Sequence, residues 1–459
     1  MPDTSGRIPL QILVFSAVTC LLFVFIIFGF PIQNALVLFL AGIVFVIAFV
    51  NTNLALIIVI LSMLLSPELR AGKAATRSVN IRIEDLFVFI IFFGWMAKMA
   101  VKKELGLFRK NPLNVPILTY FTICLISTLV ALMGGSILLK DSFFYLLKYF
   151  EYYLIYFMVG NNLRSVRQAK VFVYVMMATA FVVCIIAWTQ IPSGQRLTAP
   201  FEIEGGEPNT FAGYLNLMMA MILALSIYAK DKKLRFMWWA FFGFAVIPFV
   251  LTLSREGWIS FIPMICAFIL LNRKARLPLI IVAVLAVVLL PSVMPRKVFE
   301  RAENTFAPER SYRFFGKKVY VSESTSERID AWQKALRKMR NKPLIGYGVP
   351  GGSVIDNQYT RVMIETGLVG FASFMWLIIL LFRFALRTYR ESEDDFLKAV
   401  SLGFLCGFTA LLFQSLGAAV FILIRIMEPF WFLAALVIAL PDVVEEEKAL
   451  ANAGVPQAA

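Results

Sequence analysis

Histidine is absent from this sequence. No imidazole is therefore available as a general base, as a member of a Ser-His-Asp arrangement or as a metal ligand. Charge is scarce as well. Asp, Glu, Lys and Arg make up 16% of the 459 residues, against roughly 25% in an ordinary soluble domain. Acidic residues are outnumbered 29 to 44, which leaves a formal net charge of +15. Cysteine is rare and unpaired in pattern. Cys20, Cys124, Cys184, Cys266 and Cys406 stand singly in apolar segments without C-x-x-C spacing. They mark neither a disulfide framework nor a zinc or redox site, and read as small buried hydrophobes.

What fills the sequence instead is apolar: 60% of residues are hydrophobic and 44 are phenylalanine. That content excludes both a soluble enzyme and a disordered chain. A spanning helix needs roughly 20 apolar residues, and about fourteen segments qualify, or twelve if the shortest are discounted. They cover 9–30, 32–50, 52–65, 86–101, 115–132, 143–159, 171–190, 211–229, 237–252, 258–271, 277–293, 362–381, 399–414 and 418–440. The fold class expected is all-α and polytopic. The apolar run that follows Arg7 is long enough to span and has no A-x-A cleavage site after it, so it reads as a first span rather than a leader.

The Lys/Arg bias orients these spans. With the N-terminus inside, five inside loops hold 19 basic residues and the short outside loops hold seven: Arg70, Lys73, Arg77, Arg82, Lys140, Arg196 and Arg255. Both termini are then cytoplasmic. The same alternation places one large segment, 295–358, outside, where the 13 basic residues between Arg296 and Lys342 face six acidic ones. Within it Ser324 and Glu327 fit a capping box, Ile329, Trp332, Leu336 and Met339 fall on one helical face, and Pro343 ends the helix. Its other face carries Arg328, Lys334, Arg337, Lys338 and Arg340. Such a helix suits an anionic membrane surface, or is simply a loop helix with a solvated face. The domain reading is 1–190 for N-terminal spans, 191–294 for central spans, 295–358 for the loop, 359–440 for C-terminal spans and 441–459 for a cytoplasmic tail, disordered from Glu445.

Three outside stretches could carry chemistry. The loop 191–209 holds Arg196 with Glu202, Glu204 and Glu207; the carboxylates could offer hard oxygen ligands, though flexible Gly205 and Gly206 between them argue against a metal. Ser254-Arg255 opens a helix, where the arginine either works or snorkels. The third runs from Pro343-Leu344-Ile345-Gly346-Tyr347-Gly348 through Asp356-Asn357-Gln358-Tyr359 to Glu365-Thr366-Gly367-Leu368-Val369-Gly370. Arg361 and Glu365, four apart on the helix, can pair. Lys148 with Glu151 and Arg425 with Glu428, each three apart inside a span, read as neutralised pairs joining helices, with catalysis the alternative.

In this order the pieces resemble the O-antigen ligase and O-antigen polymerase (Wzy-like) superfamily of bacterial membrane glycosyltransferases. Arg196 precedes Pro208-Asn209-Thr210-Phe211-Ala212, and Ser254-Arg255 follows. Then come Arg328, Trp332, Pro343, Leu344, Gly346 and Gly348, and lastly Asp356, Asn357, Tyr359, Glu365, Gly367 and Gly370. The resemblance covers roughly Arg196 to Phe382. It implies a GT-C-like membrane fold and transfer of a glycan from a polyprenyl diphosphate to an acceptor hydroxyl outside the inner membrane. It implies no cofactor, no metal and no nucleic acid. Membrane lipids and the lipid-linked oligosaccharide are the expected partners, with a chain-length regulator or flippase beside them.

On this resemblance Arg196 and Arg255 hold the diphosphate, because a guanidinium stays charged and grips phosphate oxygens in two places. Arg328 or Arg361 assists, and Asn357, Tyr359 and Glu365 complete the glycan-binding set. Ligases of the family carry histidine where Asp356 stands here. A carboxylate can take a proton from an attacking hydroxyl or orient it, though more weakly than imidazole at neutral pH. The replacement favours a polymerase of an O-antigen or exopolysaccharide over a ligase that loads lipid A–core or protein. Asp356 could instead only cap the helix that follows. A lipid-linked oligosaccharide flippase is the reading from another class, but the two related halves common in transporters are not visible.

Overall fold

The computed structural model describes residues 32–452, apart from 75–76, 104–108, 110, 203–205, 274–275, 278, 282–309, 315–316, 322 and 352–354. Twelve apolar helices and one amphipathic helix make up most of it. In chain order they are α1 (Ile32–Val50), α2 (Thr52–Leu65), α3 (Ile83–Val101), α4 (Asn114–Met133), α5 (Leu139–Asn162), α6 (Val166–Gln190) and α7 (Pro208–Tyr228). There follow α8 (Lys232–Leu251), α9 (Arg255–Leu271), the amphipathic α10 (Glu323–Met339), α11 (Gln358–Glu391), α12 (Asp395–Gln414) and α13 (Ile424–Asn452). Seven of these are long and apolar enough to cross a membrane on length and composition. The protein is an all-α polytopic membrane protein. Of the expected spans, 9–30 and most of 277–293 lie outside the described residues.

Helix starts follow local capping chemistry. Ser165, Asp231, Ser254, Asn357 and Asp394 each sit one residue before a helix and accept a backbone N–H of its first turn. Two antiparallel hairpins, β1 (Glu68–Ala74) with β2 (Arg77–Arg82) and β3 (Arg310–Phe314) with β4 (Lys317–Val321), interrupt the helical order. Hydrophobic periodicity did not announce them. The expected last span, 418–440, is also corrected: Val420–Ile422 forms a 3-10 turn, and α13 starts at Ile424. It then runs to Asn452, which corrects the disorder expected from Glu445 over the helical stretch Glu445–Asn452. Glu446 explains part of this by pairing with Arg109 at 3.0 Å, while the Glu447 carboxylate accepts the Val166 N–H.

The contacts divide the chain into two units. One contains α1, the first half of α2, and α3. There Gly94 lets α3 approach α1, since a Cβ on it would lie 2.8 Å from the Ala48 Cβ. Lys98 donates to the Val50 carbonyl at the end of α1, a favourable place for a cation.

The other unit holds the remaining described helices, centred on α7. α12 crosses it through Gly403 and Gly407: Cβ atoms there would come 2.9 Å from Met221 Cα and 3.2 Å from Leu217 Cα. Small residues four apart are the usual means by which helices pack closely in lipid, where no hydrophobic effect drives them together. Ala220, Ala224, Met264, Phe268, Cys406 and Ala410 fill the space among α7, α9 and α12. At the end of the unit where α7 leaves and α12 begins, Lys230 pairs with Asp395 at 2.9 Å. That hydrogen bond and charge hold the Lys230 ammonium above its usual range.

Candidate active site at the converging helix ends

At the opposite end of α7 and α12, seven helix ends and the strap 191–207 are tied together by side chains that bond backbone. The strap starts from α6, where the Gln190 Oε1 accepts the Thr198 N–H. Arg196 then lies across the end of α8. Its Nε donates to the Thr252 carbonyl at 3.1 Å and its Nη2 to the Leu253 carbonyl at 3.2 Å. This is a guanidinium on the electronegative end of a helix. It also brings Arg196 two residues from Ser254-Arg255.

Ser254 is fully buried and caps α9 by accepting the Gly257 N–H, while its hydroxyl donates to Asn209 Oδ1 at 2.7 Å. Arg255 is thus the first residue of a helix whose position is set by its neighbours. Asn216 of α7 reinforces it, donating to the Gly257 carbonyl at 3.1 Å and to Ser260 Oγ at 2.9 Å. Gly257 permits the approach, because a Cβ there would lie 2.7 Å from the Ala212 Cβ.

The hub of this region is the turn Ser415–Ala418 after α12. Gln414 donates to the Asn209 carbonyl, and Gln358 N–H reaches the Ser415 carbonyl. Asn357 donates through Nδ2 to the Leu416 carbonyl at 2.8 Å, and Gly417 packs against Glu256. The N-terminus of α11 is therefore bound to the same turn that touches the N-terminus of α9. Tyr359 donates to the Leu412 carbonyl at 2.8 Å, so its hydroxyl is used on α12.

The helix cap is Asn357, whose Oδ1 accepts the Thr360 N–H, and Asp356 stands exposed just before it. The capping alternative for Asp356 is thereby removed. Arg425, expected to pair with Glu428 inside the membrane, also reaches beyond its own helix. It is fully buried, with Nη1 on the Pro200 carbonyl at 2.6 Å and Nε 3.8 Å from Glu202, so it ties α13 to the strap. Lys148 lies 5.4 Å from the Tyr145 ring centroid on its own helix, and Glu151 is buried. Of the three strap carboxylates, Glu204 lies outside the described residues. Among the described residues no group of three or more Cys, Asp or Glu gathers in a ligating arrangement.

A second constellation lies along α11. Arg361 pairs with Glu365 at 2.8 Å, largely out of solvent, and its guanidinium sits 5.3 Å from the Tyr145 ring centroid. Immediately after, the helix breaks at Gly367, with φ 68° and ψ −170°. The segment Pro343–Gly348 fits into that break. Tyr347 and Gly348 N–H groups donate to the Ile364 and Glu365 carbonyls at 2.8 Å each, and Leu368 N–H donates back to Pro343 at 2.8 Å. A Cβ on Gly346 would lie 2.6 Å from Gly367 N, and one on Gly367 would collide with the Leu344 carbonyl. Ser127 of α4 closes the joint, sharing its hydroxyl proton between the Ile345 and Glu365 carbonyls and accepting the Gly348 N–H. The two glycine motifs are halves of one backbone interlock.

The amphipathic helix α10 leads into that interlock. Its Trp332 and Ala335 pack with Tyr347, Ile355 and Ile364. Leu336, expected on the apolar face, is 45% exposed, and Ala335 takes the buried position. The side chains of Ser324, Glu327 and Arg328 lie outside the described residues, so neither the capping box nor the role expected of Arg328 is placed.

Residues 240–375 match the family model Wzy_C, described as O-antigen ligase. Over this stretch, less than a third of its length, the chain is similar to the O-antigen ligase family. No curated protein matches the chain significantly. The matched stretch takes in Arg255, α10, the interlock and the α11 residues Asn357, Tyr359, Arg361 and Glu365. Arg196, Gln414 and Arg425 lie beyond its limits, yet they bond into the same end of the bundle. Gln414 and the turn after it escaped sequence reasoning because their role is to accept or donate at backbone atoms of distant helices. Asn209 and Gln358 were visible only as motif letters.

Proposed function

We propose that this protein transfers a glycan from a polyprenyl diphosphate carrier to the hydroxyl of a second lipid-linked repeat unit, as a polysaccharide polymerase. The observation that carries the reading is the joining of the Arg196 strap, the Arg255 helix start and the Asp356-Asn357 corner around one turn. The acceptor oxygen attacks the anomeric carbon, the bond from that carbon to the phosphate oxygen breaks, and the lipid diphosphate departs with the electron pair. Its growing negative charge needs fixed cations in a place that water does not reorganise. Arg255 meets that need from the positive end of a helix. Arg196 adds a second guanidinium, anchored by two of its five N–H groups. Asp356, exposed at the corner, takes the acceptor proton or aims the hydroxyl. This end of the bundle then faces the outside of a bacterial inner membrane, as the Lys/Arg bias requires.

Ligation of finished glycan to lipid A–core or protein is the second reading, favoured by the description of the matched family. Asp356 in place of histidine weighs for the polymerase. Alanine at Arg196 or Arg255 should abolish polymer at normal protein levels; unchanged polymer length and amount would refute the transfer mechanism. Chain growth on the carrier lipid in a strain without the acceptor identifies a polymerase, and its absence there identifies a ligase.

A further inference from the structure

One surface of the molecule is left unused by this site. α10 turns Trp332 and Ala335 inward, and Lys334, Leu336, Arg337, Lys338 and Arg340 stand exposed on its other side. The basic run continues past its end. Lys338 and Lys342 place their ammonium groups 4.5 and 5.1 Å from the centroid of the same Tyr347 ring, and the Tyr347 hydroxyl donates to the Lys338 carbonyl. Directly beyond lies an apolar shelf. Leu344 and Ile345 are 62% and 43% exposed, and Leu368 and Val369 of α11 are 46% and 48% exposed. The two pairs are contiguous, because the Leu368 and Val369 N–H groups donate to the Pro343 and Leu344 carbonyls.

We propose that this basic rim and apolar shelf form a binding surface for anionic phospholipid, separate from the transfer site. Leu368 and Val369 belong to a helix that crosses the membrane, so the shelf meets acyl chains. The rim then lies beside it, where phosphate headgroups begin. Guanidinium and ammonium groups at that boundary attract an anionic headgroup, while the exposed leucines and isoleucine bury against its chains. The Tyr347 ring fixes two of the lysines in place. The partner is a lipid with a net negative headgroup and two acyl chains; a soluble phosphate lacks the chains that the shelf would cover. The surface also anchors the interlock segment, since Leu344 and Ile345 belong to both.

Native mass spectrometry of the full-length protein in detergent tests this, using phosphatidylglycerol and phosphatidylcholine of equal chain length as probes. Phosphatidylglycerol should be retained at ~tenfold lower lipid concentration than phosphatidylcholine. The double variant Arg337→Gln, Arg340→Gln should lose that preference, with phosphatidylcholine retention unchanged. Both side chains are exposed, so the fold has no need of them. A second variant, Leu344→Ser with Ile345→Ser, should weaken long-chain phosphatidylglycerol and leave the dihexanoyl form unaffected. Equal retention of the two lipids by the wild-type chain overturns the proposal, as does a preference that survives the double variant. Displacement of phosphatidylglycerol by equimolar inorganic diphosphate would also overturn it, by making the surface a phosphate site. None of these outcomes depends on glycan transfer.

Discussion

The converging helix ends and the glycine interlock both carry motif residues, yet they are built in opposite ways. At the helix ends, flexible side chains reach backbone carbonyls: Arg196 to Thr252 and Leu253, Gln414 to Asn209, Asn357 to Leu416. In the interlock, backbone meets backbone, and glycine at 346, 348 and 367 is required by positive φ and by the lack of room for a Cβ. The first arrangement can exchange a protein partner for a ligand, because a guanidinium or amide donor can trade a carbonyl acceptor for a phosphate or hydroxyl oxygen. The second cannot change without undoing the chain path. Motif letters that look equivalent in sequence therefore divide into side chains that bond backbone at the helix ends and glycines that hold the loop to α11.

The largest expected effect comes from breaking the interlock. Gly367→Ala forces a side chain into φ 68° and onto the Leu344 carbonyl, at a cost of roughly 3 kcal/mol or more. Little folded protein should be recovered, judged by yield and thermal unfolding in detergent. Gly42→Ala is the contrast: nothing lies within 4 Å of that position in α1. It should leave yield intact and stabilise by about 0.5 kcal/mol. If the two variants behave alike, the interlock is not the structural element described.

Next in size is Arg255→Ala, which should sharpen the comparison from the other side. Loss of one preorganised charge donor costs roughly 100-fold or more in turnover. The Ser254 cap and the Asn216 bonds stay, so thermal stability should move by less than about 1 kcal/mol. Transfer assayed with purified lipid-linked donor reads the first number, and a melting curve reads the second. A large fall in stability with proportionate activity would place Arg255 among the structural residues instead.

Ser127→Ala comes third. It removes the hydroxyl that accepts the buried Gly348 N–H and serves two carbonyls. Buried groups left without partners cost roughly 1–3 kcal/mol. Activity per folded molecule should remain near wild type, since the Ser127 hydroxyl bonds backbone of the interlock.

Much of this architecture was legible in the residues. Apolar runs separated by basic clusters placed twelve described helices, because helix length in lipid is set by bilayer thickness. The Arg361–Glu365 pair followed from helical spacing. What could not be read is contact between distant segments. Nothing local in Gln414-Ser415-Leu416-Gly417 shows that four helix ends will meet there. Arg425 bonds the strap, 225 residues away in sequence, a contact that its spacing to Glu428 could not show. Leu336 was placed on the apolar face by helical spacing, but Ala335 fits the narrow space beside Ile355 and Ile364. The Gly403-to-Gly407 spacing was the one unused signal, a small-residue pattern that does predict close helix packing.

The smallest effect tests a residue on the border between the two kinds. Asn357 sits in the motif next to Asp356 and was expected to bind glycan, but its side chain is spent at both ends: Oδ1 caps α11 and Nδ2 holds Leu416. If that is its whole role, Asn357→Asp keeps the cap, loses the donor to Leu416, and costs about 1 kcal/mol. Asn357→Ala loses both and should cost about 2 kcal/mol. Transfer activity should then fall only as folded protein falls, with KM for the lipid-linked donor unchanged. A raised KM with an unchanged melting curve would instead show that glycan displaces Leu416 from the amide. In that case the turn Ser415–Ala418 does more than join helices: it holds Asn357 in reserve until substrate arrives, and the helix-end region is adjustable at its centre as well as at its arginines.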